Sequence, residues 1–476
     1  MSIFADALKK IVDENNIVRS RLAETTGIER TTLQHILSGK RAPRKEQVDQ
    51  IIAALPIPPH EKTRLMQTYE ISEYGKDKFQ QRSKIKEIVE KVATASAIQL
   101  KTPAPVKSGS VNADVIEDED LYGTSAINSA LLRILQEENE NVTFFMPSDF
   151  SFFYNTLFAQ FIAKPSLKID CMLPLSNSKN NVMLNLEYFE AFIPFFVAPK
   201  YDFQAYYVYE NIRCPRDNAI IPFPFFVCTD RYVFALSCDM NNAFLTKSEP
   251  VLQAYKKMCK TFLKTATPFY MKPSLSELVA SYPRYDYTTE YLFIISSQPC
   301  FQLCIDEKMG QKYVTLNSEE DAALVQQYNE YLVDLRKDRD FFIAFSQEGL
   351  DSFVKTGHID MLPPHLVKPF DVPDRIQILR RILQGTNNDA FRCRLINTSK
   401  FTPPNKATHL VVRGRAMTIE HLDYVTPNLK IAFLTEEFIV DAFTDFFHYL
   451  PNTDFVYSKT ETVKAFEAAL EKLEAM

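Results

Sequence analysis

Glycine scarcity is the feature that most restricts this chain: there are ten glycines among 476 residues. Average usage near 7% would supply about 33. They fall singly, at positions 27, 39, 75, 109, 123, 310, 349, 357, 385 and 414. Phosphate-cradling loops need clustered glycines so that the backbone can approach the anion, and neither G-x-G-x-x-G nor G-x-x-x-x-G-K occurs. A Rossmann or P-loop nucleotide enzyme is therefore not expected. Gly27 breaks a helical pattern, and Gly39 is placed to cap a helix end.

The length suggests about three domains at roughly 100–200 residues each. Apolar residues at 46% and charged residues at 24% describe a soluble, globular chain that can offset its ordering entropy. The longest apolar runs, such as Ala191–Ala198 and Ala219–Cys228, are far shorter than the ~20 residues that span a bilayer. MSIFADALKK has no basic leader followed by an apolar run, so a cytoplasmic location without membrane association is expected. The eight cysteines are scattered, and only Cys300 and Cys304 sit close together. They read as reduced, mostly structural thiols rather than a metal site.

The net charge of −6 is unevenly spread. Residues 1–92 carry 17 basic and 13 acidic side chains, and the remainder carries 37 and 47. From Lys9 to Lys45 there are nine basic and four acidic side chains. A basic segment on an acidic chain fits a nucleic-acid contact confined to one end.

Apolar periodicity predicts several short helices over residues 2–72, among them Ile17–Thr26, Ile28–Leu37, Gln47–Leu55 and Glu61–Tyr69. A connecting helix follows within 73–98, where Ile85, Ile88, Val89 and Val92 form a stripe suited to a partner copy. Residues 99–118 read as a linker, rich in Pro, Ser and charge. Beyond it, strand and helix patterns alternate, which argues for α/β architecture. Two modules are expected, at 119–270 and 285–476. Leu121–Glu138, Glu249–Thr265, Glu319–Lys337, Asp374–Leu383, Glu436–Phe447 and Glu461–Leu473 read as helices. Asn141–Pro147, Leu167–Leu173, Phe203–Tyr209, Tyr291–Ser296, Phe341–Phe345 and His409–Val412 are among the strands. TDRYVF at 229–234 is similar to TEEFIV at 435–440, and KSEPVLQAY at 247–255 to KTETVKAF at 459–466, which raises a duplicated α/β module.

The segment RSRLAETTGIERTTLQHILSGKRAP, residues 19–43, carries the most specific pattern. Leu22-Ala23, Gly27-Ile28, Leu33, Ile36 and Ser38-Gly39-Lys40-Arg41 all fall in register. It resembles the helix-turn-helix of the XRE family, the phage repressor/Cro type, over about residues 3–70. The resemblance implies an all-α DNA-binding domain whose third helix enters the major groove. It places base reading on Arg30, Thr31, Thr32, Gln34 and His35, and backbone contact on Arg19, Lys40, Arg41, Arg44 and Lys45. Leu37 stands where many members have Glu.

The C-terminal part has a fainter resemblance to a degenerate phospholipase-D-like sensor module, at Val227–Ser237 followed by Lys247–Met258. The H-x-K-x-x-x-x-D signature of those enzymes is missing: His60-Glu61-Lys62 is followed by Gln67. No H-E-x-x-H and no G-x-S-x-G occurs either. Arg380, Arg381, Arg392, Arg394, Arg413 and Arg415 are candidates to converge on an anion. The reading is a sequence-specific, non-enzymatic transcriptional regulator of bacterial type, without metal or cofactor. It would be a homodimer on a palindromic operator of double-stranded DNA, with an unknown small-molecule or protein effector. The rivals are an enzyme or defence-type effector with an autoregulatory helix-turn-helix, and a scaffold using that motif for protein contact.

Overall fold

The computed structural model describes residues 2–98, 117–164, 166–178, 181–198, 202–210, 222–274, 277, 291–335, 340–423 and 428–476. Most of the 99–118 linker lies outside the described residues. The chain divides into two compact units, Met1–Lys84 and Ile85–Met476.

The first unit is all helix: α1 (Ile3–Glu14), α2 (Arg19–Thr26), α3 (Arg30–Leu37), α4 (Lys45–Ala54) and α5 (Pro59–Tyr74). Each contributes one apolar stripe to a shared core. Phe4, Leu8 and Val12 meet Leu22, Leu33, Ile36, Val48, Ile51 and Leu65. Phe4 and Tyr69 pack edge to face at 5.7 Å, closing the first helix on the fifth. Burial, and then the nearby Glu73, pushes Tyr69 up to about 12, so it remains a neutral core group.

A sixth helix, α6 (Lys76–Ile98), begins after Gly75. Its stripe Ile85, Ile88, Val89 and Val92 is fully buried in the core of the second unit. The expectation that this stripe pairs with another copy is corrected: the chain's own apolar residues occupy it.

The second unit is built on two mixed sheets. The first contains β1 (Glu119–Tyr122), β2 (Asn141–Phe145), β3 (Lys168–Leu175), β4 (Phe203–Tyr209), β5 (Phe225–Thr229), β6 (Val233–Leu236), β7 (Asn242–Thr246) and β8 (Thr267–Pro268). Their order is β1-β7-β6-β5-β2-β3-β4-β8. The second contains β9 (Tyr291–Ile295), β10 (Asp340–Phe345), β11 (Arg392–Leu395), β12 (Thr408–Arg413), β13 (Ala416–Asp423) and β14 (Asn428–Leu434), in the order β11-β10-β9-β12-β13-β14. In each, three parallel strands are followed by an antiparallel run of three, which starts beside the first parallel strand. The strand order β7-β6-β5-β2-β3-β4 is thus repeated as β14-β13-β12-β9-β10-β11.

The duplication lies in topology and not in the short sequence matches. Thr229–Phe234 runs from β5 through a turn into β6, whereas Thr435–Val440 leads into a helix. Leu121 and Tyr122, expected to be helical, form β1 instead. Gly123, at φ 82°, then turns the chain into α7 (Thr124–Glu137). Lys164 closes the far end of that helix, donating to the carbonyls of Leu135, Gln136 and Glu138 at 2.6–2.8 Å.

Two of the helices, α8 (Ser151–Ala163) and α9 (Val182–Phe196), are rich in phenylalanine. The chain continues through α10 (Glu249–Thr265), α11 (Glu307–Tyr313), α12 (Glu319–Leu335), α13 (Gln347–Thr356), α14 (Val372–Asn387), α15 (Glu437–Tyr449) and α16 (Lys459–Glu474). Phe189 of α9 meets Phe443 of α15 edge to face at 5.6 Å. Around them, one apolar core takes residues from both sheets. Glu436 caps α15: its carboxylate accepts from the amide of Ile439 at 2.8 Å and from the Tyr209 hydroxyl at 2.7 Å.

Candidate nucleic-acid interface

Two glycines set the geometry of the first unit. Gly27 ends α2 in the left-handed region, at φ 68° and ψ 11°. A β-carbon there would meet nothing within 4 Å, so backbone conformation alone selects glycine. Thr26 locks the turn: its hydroxyl donates to the Leu22 carbonyl at 2.8 Å and accepts from the Ile28 amide at 3.3 Å. Gly39, at φ 69°, ends α3. The Lys40 amide bonds the His35 carbonyl at 2.9 Å and the Gly39 amide bonds Ile36 at 3.0 Å, the paired closure of a Schellman turn.

Leu33, Ile36 and Leu37 bury one side of α3. Helical geometry then turns Thr31, Gln34, His35 and Ser38 to the opposite side, with Arg30 and Thr32 on its flanks. Arg30, Thr31, Gln34, His35, Lys40 and Arg41 are exposed and Thr32 is half-buried. Among the described residues, Arg30, Gln34, His35 and Lys40 make no side-chain hydrogen bond or ion pair. Arg41 lies 3.5 Å from the Thr32 hydroxyl.

Of the remaining candidates, the side chains of Arg19, Lys45 and Thr31 are engaged. Arg19 pairs with Asp13 at 2.9 Å and Lys45 with Asp49 at 2.6 Å. Arg44 is exposed, and its amide donates to Gln47 at 3.0 Å as α4 begins. Thr31 donates its hydroxyl to Glu29 at 2.7 Å. Sequence reasoning passed over both Ser38 and Glu29. Ser38 was readable from its position one turn beyond Gln34 and two turns beyond Thr31, whereas the Glu29–Thr31 bond depends on a rotamer that no periodicity reports. Neither α2 nor α3 has a side-chain cap at its N-terminus, which leaves outward amides available to an anion.

Of the six arginines expected to converge on an anion, Arg413 is buried at the end of β12, Arg415 is exposed, and the other four are dispersed among separate partners. Arg380 pairs with Glu474, Arg381 with Asp306 and Arg392 with Asp340. Arg394 donates to the Cys393 carbonyl. Cys300 and Cys304 are buried around a short 3-10 turn, and no metal-holding group of His, Cys, Asp and Glu is found among the described residues.

The fold and this surface define a helix-turn-helix unit joined to a larger α/β region. Residues 8–62 match the family described as Helix-turn-helix. No curated protein matches the chain. Similar solved structures include an archaeal chromatin protein, TrmBL2, described as showing a novel mode of DNA binding. It shares 12% identity over 46% of this chain and 87% of its own, with a TM-score of 0.23. Phosphatidylserine synthase of Haemophilus influenzae Rd KW20 shares 8% over 75% of this chain and 92% of its own, with a TM-score of 0.24. Polyphosphate kinase of Porphyromonas gingivalis shares 8% over 75% and 56%, with a TM-score of 0.21. At these scores the three likenesses carry no argument, and the phospholipase-D-like expectation gains no support from them. Among the described residues, no helix is long and apolar enough to cross a membrane.

Proposed function

We propose that this protein is a sequence-specific DNA-binding transcriptional regulator, with α3 as its reading helix. The observation that carries the reading is the face of α3. Arg30, Gln34 and His35 stand exposed and uncommitted on it, opposite a fully buried apolar stripe, and Lys40 follows at its end. Arg30 offers a two-pronged donor to guanine, and Gln34 can pair with adenine. Thr31 and Thr32 supply hydroxyls and methyls. Lys40, Arg41 and Arg44 hold phosphates, joined by Arg19 and Lys45 once these exchange their carboxylate partners for the backbone. The α/β region senses an effector and pairs two copies. The pair then presents two reading helices to a palindromic operator, one helical turn apart.

Selection from a random duplex library at near-physiological salt tests this, with full-length protein and an Arg30→Ala control. Enrichment of a palindrome is the expected result, and no enrichment overturns the reading. Arg30→Ala is expected to weaken the selected site by about 1–3 kcal/mol and relax one base position. A uniform loss on every sequence would make Arg30 a phosphate contact. Lys40→Ala is expected to weaken all duplexes about equally and reduce the salt slope by about one, as measured by titrations at several salt concentrations. A loss confined to one operator base would contradict that role.

A further inference from the structure

α10 lies on the first sheet along a narrow apolar seam. Leu252 and Cys259 are buried, with Val251, Tyr255 and Phe262 half-buried beside them, against Met172, Phe226 and Val233 of β3, β5 and β6. Lys256 is held to the sheet: its ammonium donates to the Asp230 carbonyl at 3.0 Å and pairs with the Asp230 carboxylate at 3.5 Å. The other three lysines stand on the opposite side of the helix. Lys257, Lys260 and Lys264 follow one another at helical spacing, are exposed, and make no ion pair or side-chain hydrogen bond. The one acid of the helix, Glu249, sits in its first turn and accepts from Gln253 at 2.7 Å.

We infer that this row of lysines is a second, sequence-independent DNA contact, which binds duplex phosphates and takes no part in base reading by α3. The choice of DNA among polyanions rests on the reading of α3 given above. The acidic second unit thus carries one basic face of its own.

Folding does not account for the row. Like charges at i, i+3 and i, i+4 repel, so these lysines weaken the helix that carries them. The helix dipole favours Lys264 in the last turn, but not Lys257 and Lys260 in the middle. Residues 93–476 carry 37 basic and 47 acidic side chains, whereas α10 carries four and one. Phosphate fits what the helix offers. The three residues are spaced about 4.5 and 6 Å apart along the axis, and lysine's flexible stem adjusts each ammonium to a strand with one charge per about 3.4 Å. Lysine is a point charge without arginine's fork, so it holds phosphate without reading bases. No aromatic ring lies on the outward side, so the row lacks the stacking platform of a single-strand binder. Nor is an apolar face left for lipid: the sheet covers it, and Met258 is the exposed large apolar residue of the helix.

The test is titration of the full-length protein on a long duplex of arbitrary sequence at several salt concentrations. Wild type is compared with the triple variant Lys257→Gln, Lys260→Gln, Lys264→Gln. Glutamine keeps the helix propensity of lysine, and an unchanged circular dichroism spectrum and unfolding midpoint control for the fold. The variant is expected to bind at least about tenfold more weakly at about 0.1 M salt, with the slope of log K against log salt shallower by about 2–3. The same change is expected in an Arg30→Ala, Lys40→Ala background, because the row acts independently of α3. An unchanged slope overturns the proposal. If phosphatidylserine vesicles then bind wild type and not the variant, the row serves a membrane instead. The roles of α3 and α10 separate in the outcome. A shallower slope without palindrome enrichment removes the role of α3 alone, and enrichment with an unchanged slope removes that of α10 alone.

Discussion

Phe189→Ala is expected to cost about 3–5 kcal/mol of folding stability, read as a lowered denaturant midpoint of the α/β region. Phe189 is fully buried on α9. Its ring meets Phe196 at 5.5 Å, Phe269 at 6.4 Å and Phe443 at 5.6 Å. These partners come from its own helix, from the segment after β8 and from α15. The resulting void has walls on separate elements, so no single shift can close it. A loss below about 1.5 kcal/mol would show that α9 and α15 close up easily, and that the aromatic cluster is looser than its ring contacts imply.

Gly357→Ala is the second large effect. Gly357 ends α13 at φ 72° and ψ 3°, where an L side chain costs about 1–2 kcal/mol. Space is also lacking: an added β-carbon would lie 2.2 Å from the Phe370 carbonyl oxygen. That backbone is not free to retreat, because the Phe370 amide donates to the Gly357 carbonyl at 2.9 Å. Conformation and overlap together give an expected loss of about 3 kcal/mol or more by urea unfolding. A loss near 1 kcal/mol would mean that the Phe370 segment yields and only the dihedral penalty remains.

The helix-turn-helix was legible because its signals are local. Gly27 and Gly39 mark helix ends, and Leu33, Ile36 and Leu37 recur with the helical period. The α/β class was legible from alternation, but several elements were not. α9 is buried on nearly all sides, so its sequence shows no polar face, and Pro194 inside it reads as a breaker. β13 mixes Thr418, Glu420 and His421 with apolar residues and hides its alternation. Only its register with β12, Thr408 opposite His421 and Arg413 opposite Ala416, shows the hairpin turned by Gly414. The reading face of α3 could be named from the sequence, but the carboxylates that hold Arg19 and Lys45 could not.

The repeated strand order amounts to a dimer written into one polypeptide. In a pair of identical chains, every substitution appears twice, and both halves must tolerate it. Here each half drifts alone. β6 is wholly apolar, as Val-Phe-Ala-Leu, while its counterpart β13 carries Thr418, Glu420 and His421. β5 reads Phe-Phe-Val-Cys-Thr where β12 has Thr408, His409 and Arg413. β5 and β6 are thus packed almost wholly with apolar side chains, while the corresponding strands of the second sheet carry polar and titratable groups that a symmetric assembly would have to bury in duplicate.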